Sequence, residues 1–355
     1  MKKTFWAVAV LASASLVAHA GKSVTPIADK PKFSGYIIGQ YQANFQENNS
    51  NTFNIRMARV SVGGHLLGEF EYKVQGQING NTSTLGESPR IVDLFVEWQR
   101  YDFARIKIGQ FKRPFTFENP MHPVDQGFMG YSQNVQRLSG FNDRTGEQAS
   151  NGRDIGIQLQ GDFLPCGNGR KLLHYQVGVF NGQGINTKDV DNRKDIIGGV
   201  WVAPAKGLRI GAFGWAGSHA RKGHWTDGAG NEHKDEDWQI RSEYIHSTGY
   251  GFKTTKQSGD DAADATVNYA QGNKADGVYA LCIAPIIRQK LRAKARYDMY
   301  RKSGSWADSR TQYEVGLNYL FCKNLELQAE YAFINDRSLA KHNYSMLDVE
   351  LSVRF

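Results

Sequence analysis

Apolar and polar residues alternate along much of the chain. From Glu69 to Asn79 one set of positions holds Phe70, Tyr72, Val74, Gly76 and Ile78. The other holds Glu69, Glu71, Lys73, Gln75, Gln77 and Asn79. Successive strand side chains point to opposite faces, so this spacing predicts a strand with one apolar and one polar side. Residues 290–300 divide the same way, with Leu291, Ala293, Ala295, Tyr297 and Met299 against Lys290, Arg292, Lys294, Arg296 and Asp298. The split recurs over 312–321 and 325–333. The chain ends on Leu347, Val349, Leu351, Val353 and Phe355 alternating with Asp348, Glu350, Ser352 and Arg354.

A soluble sandwich also alternates. Here the segments reach ten residues or more, beyond the usual ~5–6 of a soluble strand, and that length suits a tilted strand crossing a bilayer. The polar faces carry several charges, as a water-filled lumen requires. All nine prolines fall outside the alternating segments, which leaves the ladders unbroken. Connections alternate between tight ones (Gln99–Asp102, Pro204–Gly207, Pro285–Gln289, Cys322–Asn324) and long polar ones (Gly182–Lys194, Ser218–Glu236, Lys256–Lys274). Short turns at one end and long loops at the other are the plan of an outer-membrane barrel. The expected fold is all-β, a transmembrane antiparallel barrel of about sixteen strands over residues 33–355.

One connection is longer than the rest. A strand around Phe103–Gln110 is followed by about forty residues before alternation resumes near Asp154 and Ile155. A loop of that length generally has a function. Folded inward, residues 111–153 would narrow a channel; left outside, they would form a surface loop.

Composition agrees with a β protein. Of 355 residues, 12% are aromatic, with 38 Gly and 9 Pro, and beyond the N-terminus no apolar run is long enough for a spanning helix. Residues 1–20 read as an export signal: Lys2 and Lys3, a short apolar stretch from Phe5 to Val17, then Ala18-His19-Ala20. Cleavage is expected between Ala20 and Gly21, leaving residues 21–32 as a polar leader. The formal charge is +8, but export and the lack of a clustered aromatic-and-basic motif argue against nucleic acid as a partner. Cys166, Cys282 and Cys322 form no metal or disulfide pattern. His219, His224 and His233 fall in one polar stretch that reads as a solvent-exposed loop, so no metal is expected. Phosphate-loop, zinc-protease and serine-hydrolase motifs are absent from the sequence, and neither catalysis nor a cofactor is expected.

The candidate chemistry is charge. Lys290, Arg292, Lys294 and Arg296 occupy consecutive positions on one predicted face, Arg105 and Lys107 share another, and Lys112 and Arg113 stand where the long connection begins. Like-signed rows in a narrow passage attract counter-ions. Glu69, Glu71, Asp93, Glu97, Glu314, Glu326, Glu330, Asp348 and Glu350 face the same lumen in this reading. They divide the wall into a basic sector near the fifth and thirteenth strands and an acidic one near the termini. Arg56 and Arg59, three apart, share a face only across a bulge. On a solvated wall, replacing Arg292 and Arg296 with Ser is expected to leave folding intact. Phe355, ending the last apolar face, is the expected signal to the barrel-assembly machinery.

Four segments in order resemble a known family: Phe53–Val62 with its R-x-A-R core, Gly109-Gln110-Phe111-Lys112-Arg113-Pro114-Phe115, Gly152-Arg153-Asp154-Ile155-Gly156, and Tyr175–Gly182 ending in Val-Phe-Asn-Gly. Together they resemble the phosphate-selective porin O/P family. The resemblance implies a sixteen-stranded homotrimeric channel in outer-membrane lipid, a third loop folded inward, and selection of small anions such as phosphate or polyphosphate by pore arginines and lysines. The readings set against it are an outer-membrane barrel lipase and an exported soluble β-sandwich that binds glycans.

Overall fold

The computed structural model describes residues 28–79, 89–141, 150–189, 192–219, 222–235, 237–249 and 275–355. Its strands are β1 (Lys32–Asn44), β2 (Ser50–Leu66), β3 (Phe70–Gln77), β4 (Arg90–Tyr101), β5 (Ala104–Lys112), β6 (Arg153–Pro165), β7 (Lys171–Phe180) and β8 (Asp195–Ala205). They continue as β9 (Leu208–His219), β10 (Lys222–Lys234), β11 (Gln239–Gly249), β12 (Ala275–Ile287), β13 (Leu291–Arg301), β14 (Ser309–Cys322), β15 (Leu325–Asp336) and β16 (Asn343–Arg354). Each pairs antiparallel with its sequence neighbours, and β1 pairs with β16, so the sheet closes into a barrel of sixteen strands. Closure leaves no free edge. The only α-helix described, α1 (Gln133–Leu138), lies in the β5–β6 connection, as does a 3-10 turn at Pro123–Asp125.

The predicted alternation sorts the two faces of β14. Tyr313, Val315 and Leu317 are about half exposed on the outer surface, while Glu314 and Asn318 are buried. The β1–β2 ladder skips one residue, since Ile38 pairs with Met57 and Gly39 with Ile55. The skipped residue is Arg56, and this bulge brings Arg56 onto the face of Arg59.

From β7 to β12 large apolar side chains occupy the inward face as well as the outward one. Phe180, Ile197, Phe213, Trp215, Ile245, Tyr279, Leu281 and Ile283 are buried together with Phe115, Phe117, Phe128, Val135 and Leu138 of the β5–β6 connection. On β9 the opposite face carries Ile210, which is exposed, followed by Ala212, Gly214 and Ala216. The inward set meets the connection, while Val177, Val179, Ile196, Val200 and Ile210 stay exposed on the outer surface.

The structure corrects several expectations. Ser218–Glu236 is not a long loop. It contains the end of β9 and all of β10, which pair from His219 with Lys222 onward, so His219, His224 and His233 lie on strands. Pro165, Pro204 and Pro285 lie inside strands, at turn ends where ladder pairs are skipped and the missing N–H is tolerated. Lys290 is in the turn before β13 and exposed, and Glu69 is in the turn before β3, so neither belongs to a strand face. The leader is partly sheet, because Ala28 bridges to Leu66 and Asp29 N–H donates to His65 O at 3.0 Å. The expected cleavage site at Ala20 and Gly21 and the whole of the Lys256–Lys274 loop lie outside the described residues.

Candidate functional site at the connection between β5 and β6

The connection leaves β5 through a sequence whose glycines have a physical cause. Gly109 has φ +133°, and a Cβ there would lie 2.1 Å from Leu94 O. Gly152 has φ +73°, and its Cβ would stand 1.8 Å from Asn119 Oδ1. Both positions exclude larger side chains. Arg113 fixes the base of the connection: its Nη2 donates to Asp154 Oδ2 at 2.7 Å and its Nη1 to Gly140 O at 2.8 Å. Lys112 Nζ donates to Asn119 O and Met121 O, each at 2.7 Å, and to Tyr131 Oη at 2.5 Å.

Polar-face side chains of several strands bond the rest of the connection. Glu243 of β11 accepts from Phe117 N–H at 2.9 Å and Glu118 N–H at 2.8 Å. Asp298 of β13 accepts from Gln133 N–H at 2.8 Å. Glu330 of β15 accepts from Met129 N–H at 3.3 Å. Asp125 pairs with Arg354 at 2.5 Å, and Lys234 Nζ donates to Asp125 O at 3.5 Å. Val124 is buried against Tyr36, Ile38 and Met57. His122 Nδ1 accepts the Val124 N–H at 3.3 Å, and its ring lies edge-on to Tyr36 with centroids 4.4 Å apart. Burial first, then the cations Arg354, Lys112 and Lys73, push the His122 imidazole down to about 4, although Asp125 pulls the other way.

The row on β13 is neutralised by its neighbours. Lys294 Nζ lies 2.8 Å from Glu330 Oε2 and donates to Gly127 O at 3.1 Å. Arg296 makes a two-pronged pair with Glu314, donates to Gly130 O at 2.8 Å, and lies over the Phe128 ring at 4.5 Å. Arg292 donates to Glu326 at 3.1 Å. Every cation of the row that is on the strand therefore has a carboxylate on β14 or β15, and Lys294 and Arg296 also hold the connection. On β5, Arg105 pairs with Asp162 at 2.7 Å and Lys107 with Glu97 at 3.0 Å.

Positive charge is in excess elsewhere. Arg153 Nε donates to Asp93 Oδ1 at 2.6 Å, and Lys73 reaches Asp93 Oδ2 at 3.4 Å. Arg59, 1% exposed, donates from Nε to Gln77 Oε1 at 3.1 Å, and its Nη2 is buried without a hydrogen-bond partner. Arg153, Arg59, Asp93 and Lys73 are the charged groups acting most strongly on Lys112. Arg153 and Lys73 thus share the Asp93 carboxylate, and Arg59 and Lys112 stand in the same cluster bonded to neutral oxygens. Across the barrel, Arg241 meets Glu118 at 3.0 Å and Glu232 at 3.9 Å, with Glu243 bonded to Tyr279 Oη at 2.6 Å. Sequence reasoning placed Lys112 among the anion-binding residues but not Arg59, Lys73 or Arg153. The bulge at Arg56 was the available signal, because it decides which face Arg59 takes.

Comparison with known proteins gives concordant results. Residues 36–231 match the family described as phosphate-selective porin O and P. No curated protein matches the sequence. The fold is similar to the anion-selective porin of Comamonas acidovorans, with TM-score 0.64, 12% identity, and 92% of this chain and 99% of that one covered. It is also similar to Salmonella typhi OmpF in complex with daunomycin, with TM-score 0.66, 11% identity and coverage of 94% and 99%. A third likeness is to in-vitro folded OmpT of Vibrio cholerae in its trimer form, with TM-score 0.60, 11% identity and coverage of 92% and 99%.

Proposed function

The chain belongs to the phosphate-selective porin O and P family of outer-membrane channels, and on that premise we propose that it conducts small hydrophilic anions, phosphate or polyphosphate among them. The observation that carries this reading is the cluster of Arg59, Lys73, Lys112 and Arg153, in which Arg153 and Lys73 contact the carboxylate of Asp93 and Arg59 and Lys112 bond neutral oxygens. An excess of fixed positive charge in a confined, poorly solvated passage concentrates anions and repels cations. Arginine suits a planar or tetrahedral oxyanion because its fork meets two oxygens, whereas lysine acts as a compact charge. In this reading residues 111–153 form the constriction. Arg105, Lys107, Lys112 and Arg113 line the approach on the β5 side. Arg292, Lys294 and Arg296 hold the wall and the connection together, and Lys290 stands at the turn rim.

The reading extends to the rest of the life of the protein. Residues 1–20 direct export, with cleavage between Ala20 and Gly21, and Phe355 is read by the barrel-assembly machinery. Three copies assemble, a reading supported by the trimer form described for Vibrio cholerae OmpT. The test of the solute class is block of chloride current by added phosphate in planar bilayers. Wild-type current falls as phosphate is raised, and Arg59→Gln with Lys112→Gln weakens that block. Equal block of wild type and variant removes the cluster as the site of selection.

A further inference from the structure

The tight-turn end of the barrel carries exposed and half-buried aromatic rings in a continuous row. Trp98, Tyr101, Phe103, Phe163 and Tyr175 follow one another across β4 to β7 at centroid separations of 5.6, 5.3, 6.3 and 5.5 Å. Tyr175 Oη donates to Phe103 O at 2.8 Å and holds the row in register. Cations stand beside it, Arg100 at the end of β4, Lys171 at the start of β7 and Lys206 in the β8–β9 turn. The Arg100 side chain is 55% exposed, with its Cζ 5.5 Å from the Tyr101 centroid. Lys171 lies 2.9 Å from Asp102, and Lys206 is exposed in the β8–β9 turn. The same pairing of ring and cation recurs about half-way around the barrel. There Lys290 Nζ lies 5.8 Å from the Tyr319 centroid, Tyr319 packs on Phe321 at 4.8 Å, and Lys323 is exposed in the next turn.

We propose that this rim binds the headgroups of anionic phospholipids in the membrane leaflet that the short turns face. The inference rests on the reading that the chain spans the outer membrane with these turns toward the periplasm. Aromatic rings settle at the boundary between hydrocarbon and headgroups, which fixes the height of the row. Cations at the strand ends and turns beside it are then at the level of lipid phosphates. Basic residues at that level attract acidic lipids and are screened by salt. Glu69 and Asp102 neutralise only part of the rim, through Arg100 at 3.7 Å and Lys171 at 2.9 Å. The acyl chains of such a lipid would lie on the apolar outer face of Ile106, Ile157 and Leu159.

The test is native mass spectrometry of the detergent-purified full chain titrated with phosphatidylglycerol, phosphatidylcholine or lipopolysaccharide. The wild type retains phosphatidylglycerol over phosphatidylcholine, and raised salt lowers the preference. The variant Arg100→Gln, Lys171→Gln, Lys206→Gln loses about tenfold or more of that retention, while Lys341→Gln, at the other end beside Glu47, leaves it unchanged. Heat-modifiability checks that each variant folds. Single-channel conductance of the triple variant stays at the wild-type value, which separates failure of this inference from failure of the channel reading. Equal retention of the two phospholipids, stronger retention of lipopolysaccharide, or undiminished phosphatidylglycerol retention by the triple variant overturns it.

Discussion

Arg56 Nη1 donates to Glu350 Oε2 at 2.8 Å across the seam where the first and last strands close the barrel. The contact exists because β2 bulges at Arg56 and turns it onto the same face as Arg59. Glu350 is 1% exposed, so without Arg56 it would be a buried carboxylate with no partner of opposite charge at hydrogen-bond distance. We expect Arg56→Gln to lower stability by roughly 1–3 kcal/mol, read as a lower temperature for the folded-to-unfolded gel shift. Adding Glu350→Gln should recover most of the loss. An unshifted transition in Arg56→Gln would show that the seam does not depend on the pair.

Arg296 is a second buried ion pair, and its environment reverses the expectation drawn from a solvated wall. Arg296 and Glu314 are each 2% exposed. Arg296→Ser leaves Glu314 uncompensated and removes the bond to Gly130 O. Breaking one partner of a buried pair costs about 3–5 kcal/mol. Folded yield and thermal stability should both fall, and proteolysis within residues 113–141 should rise. Arg292→Ser, at a half-buried pair, should be much milder.

His122 gives the connection a pH dependence. Its Nδ1 accepts the Val124 N–H, a role open only to the unprotonated nitrogen. The groups facing it are Asp125 on its own segment, Arg354 of β16, Lys112 of β5, Lys73 of β3 and Tyr36 of β1. Because the docked imidazole titrates at about 4 and a free one near 6.5, the released segment binds more protons between these values. Docking is therefore fully favoured above pH ~6.5 and is progressively lost as pH falls toward 4. Protease access to residues 113–141, or channel noise, should rise over that window. His122→Asn, which keeps an acceptor and does not titrate, should flatten the response. A wild-type profile that is level from pH 7 to 4 would remove the role.

Phe355 closes the last ladder. Its N–H donates to Gly35 O at 3.0 Å, its carbonyl accepts from Gly35 N–H at 2.9 Å, and its ring lies 6.4 Å from that of Phe33. Deleting it should reduce heat-modifiable barrel in the outer membrane while unfolded precursor accumulates in the periplasm. Normal assembly of the shortened chain would contradict the role.

Where a strand meets solvent on one side and lipid on the other, its sequence declares it: β3 and β13 to β16 were legible from alternation alone, with the barrel class and the strand number. The strand β10 was not. Its Gly228, Ala229 and Gly230 give no apolar period, because its neighbours Phe213, Trp215 and Ile245 point toward the β5–β6 connection and pack there on Phe115 and Phe117. Charge was legible as composition but not as pairing. Lys294 and Glu330 lie far apart in sequence, and only the β13–β14–β15 register brings them together. The excess cations became visible in the same way, once the bulge at Arg56 fixed the direction of Arg59.

The central claim is that fixed positive charge around Asp93 makes the channel prefer anions. It is tested most directly by the reversal potential of the purified protein in a planar bilayer under a potassium chloride gradient. The account predicts a wild-type potential displaced toward the chloride equilibrium value, and a shift toward the potassium value in Arg59→Gln with Lys112→Gln. A wild-type potential at zero or on the potassium side would contradict it.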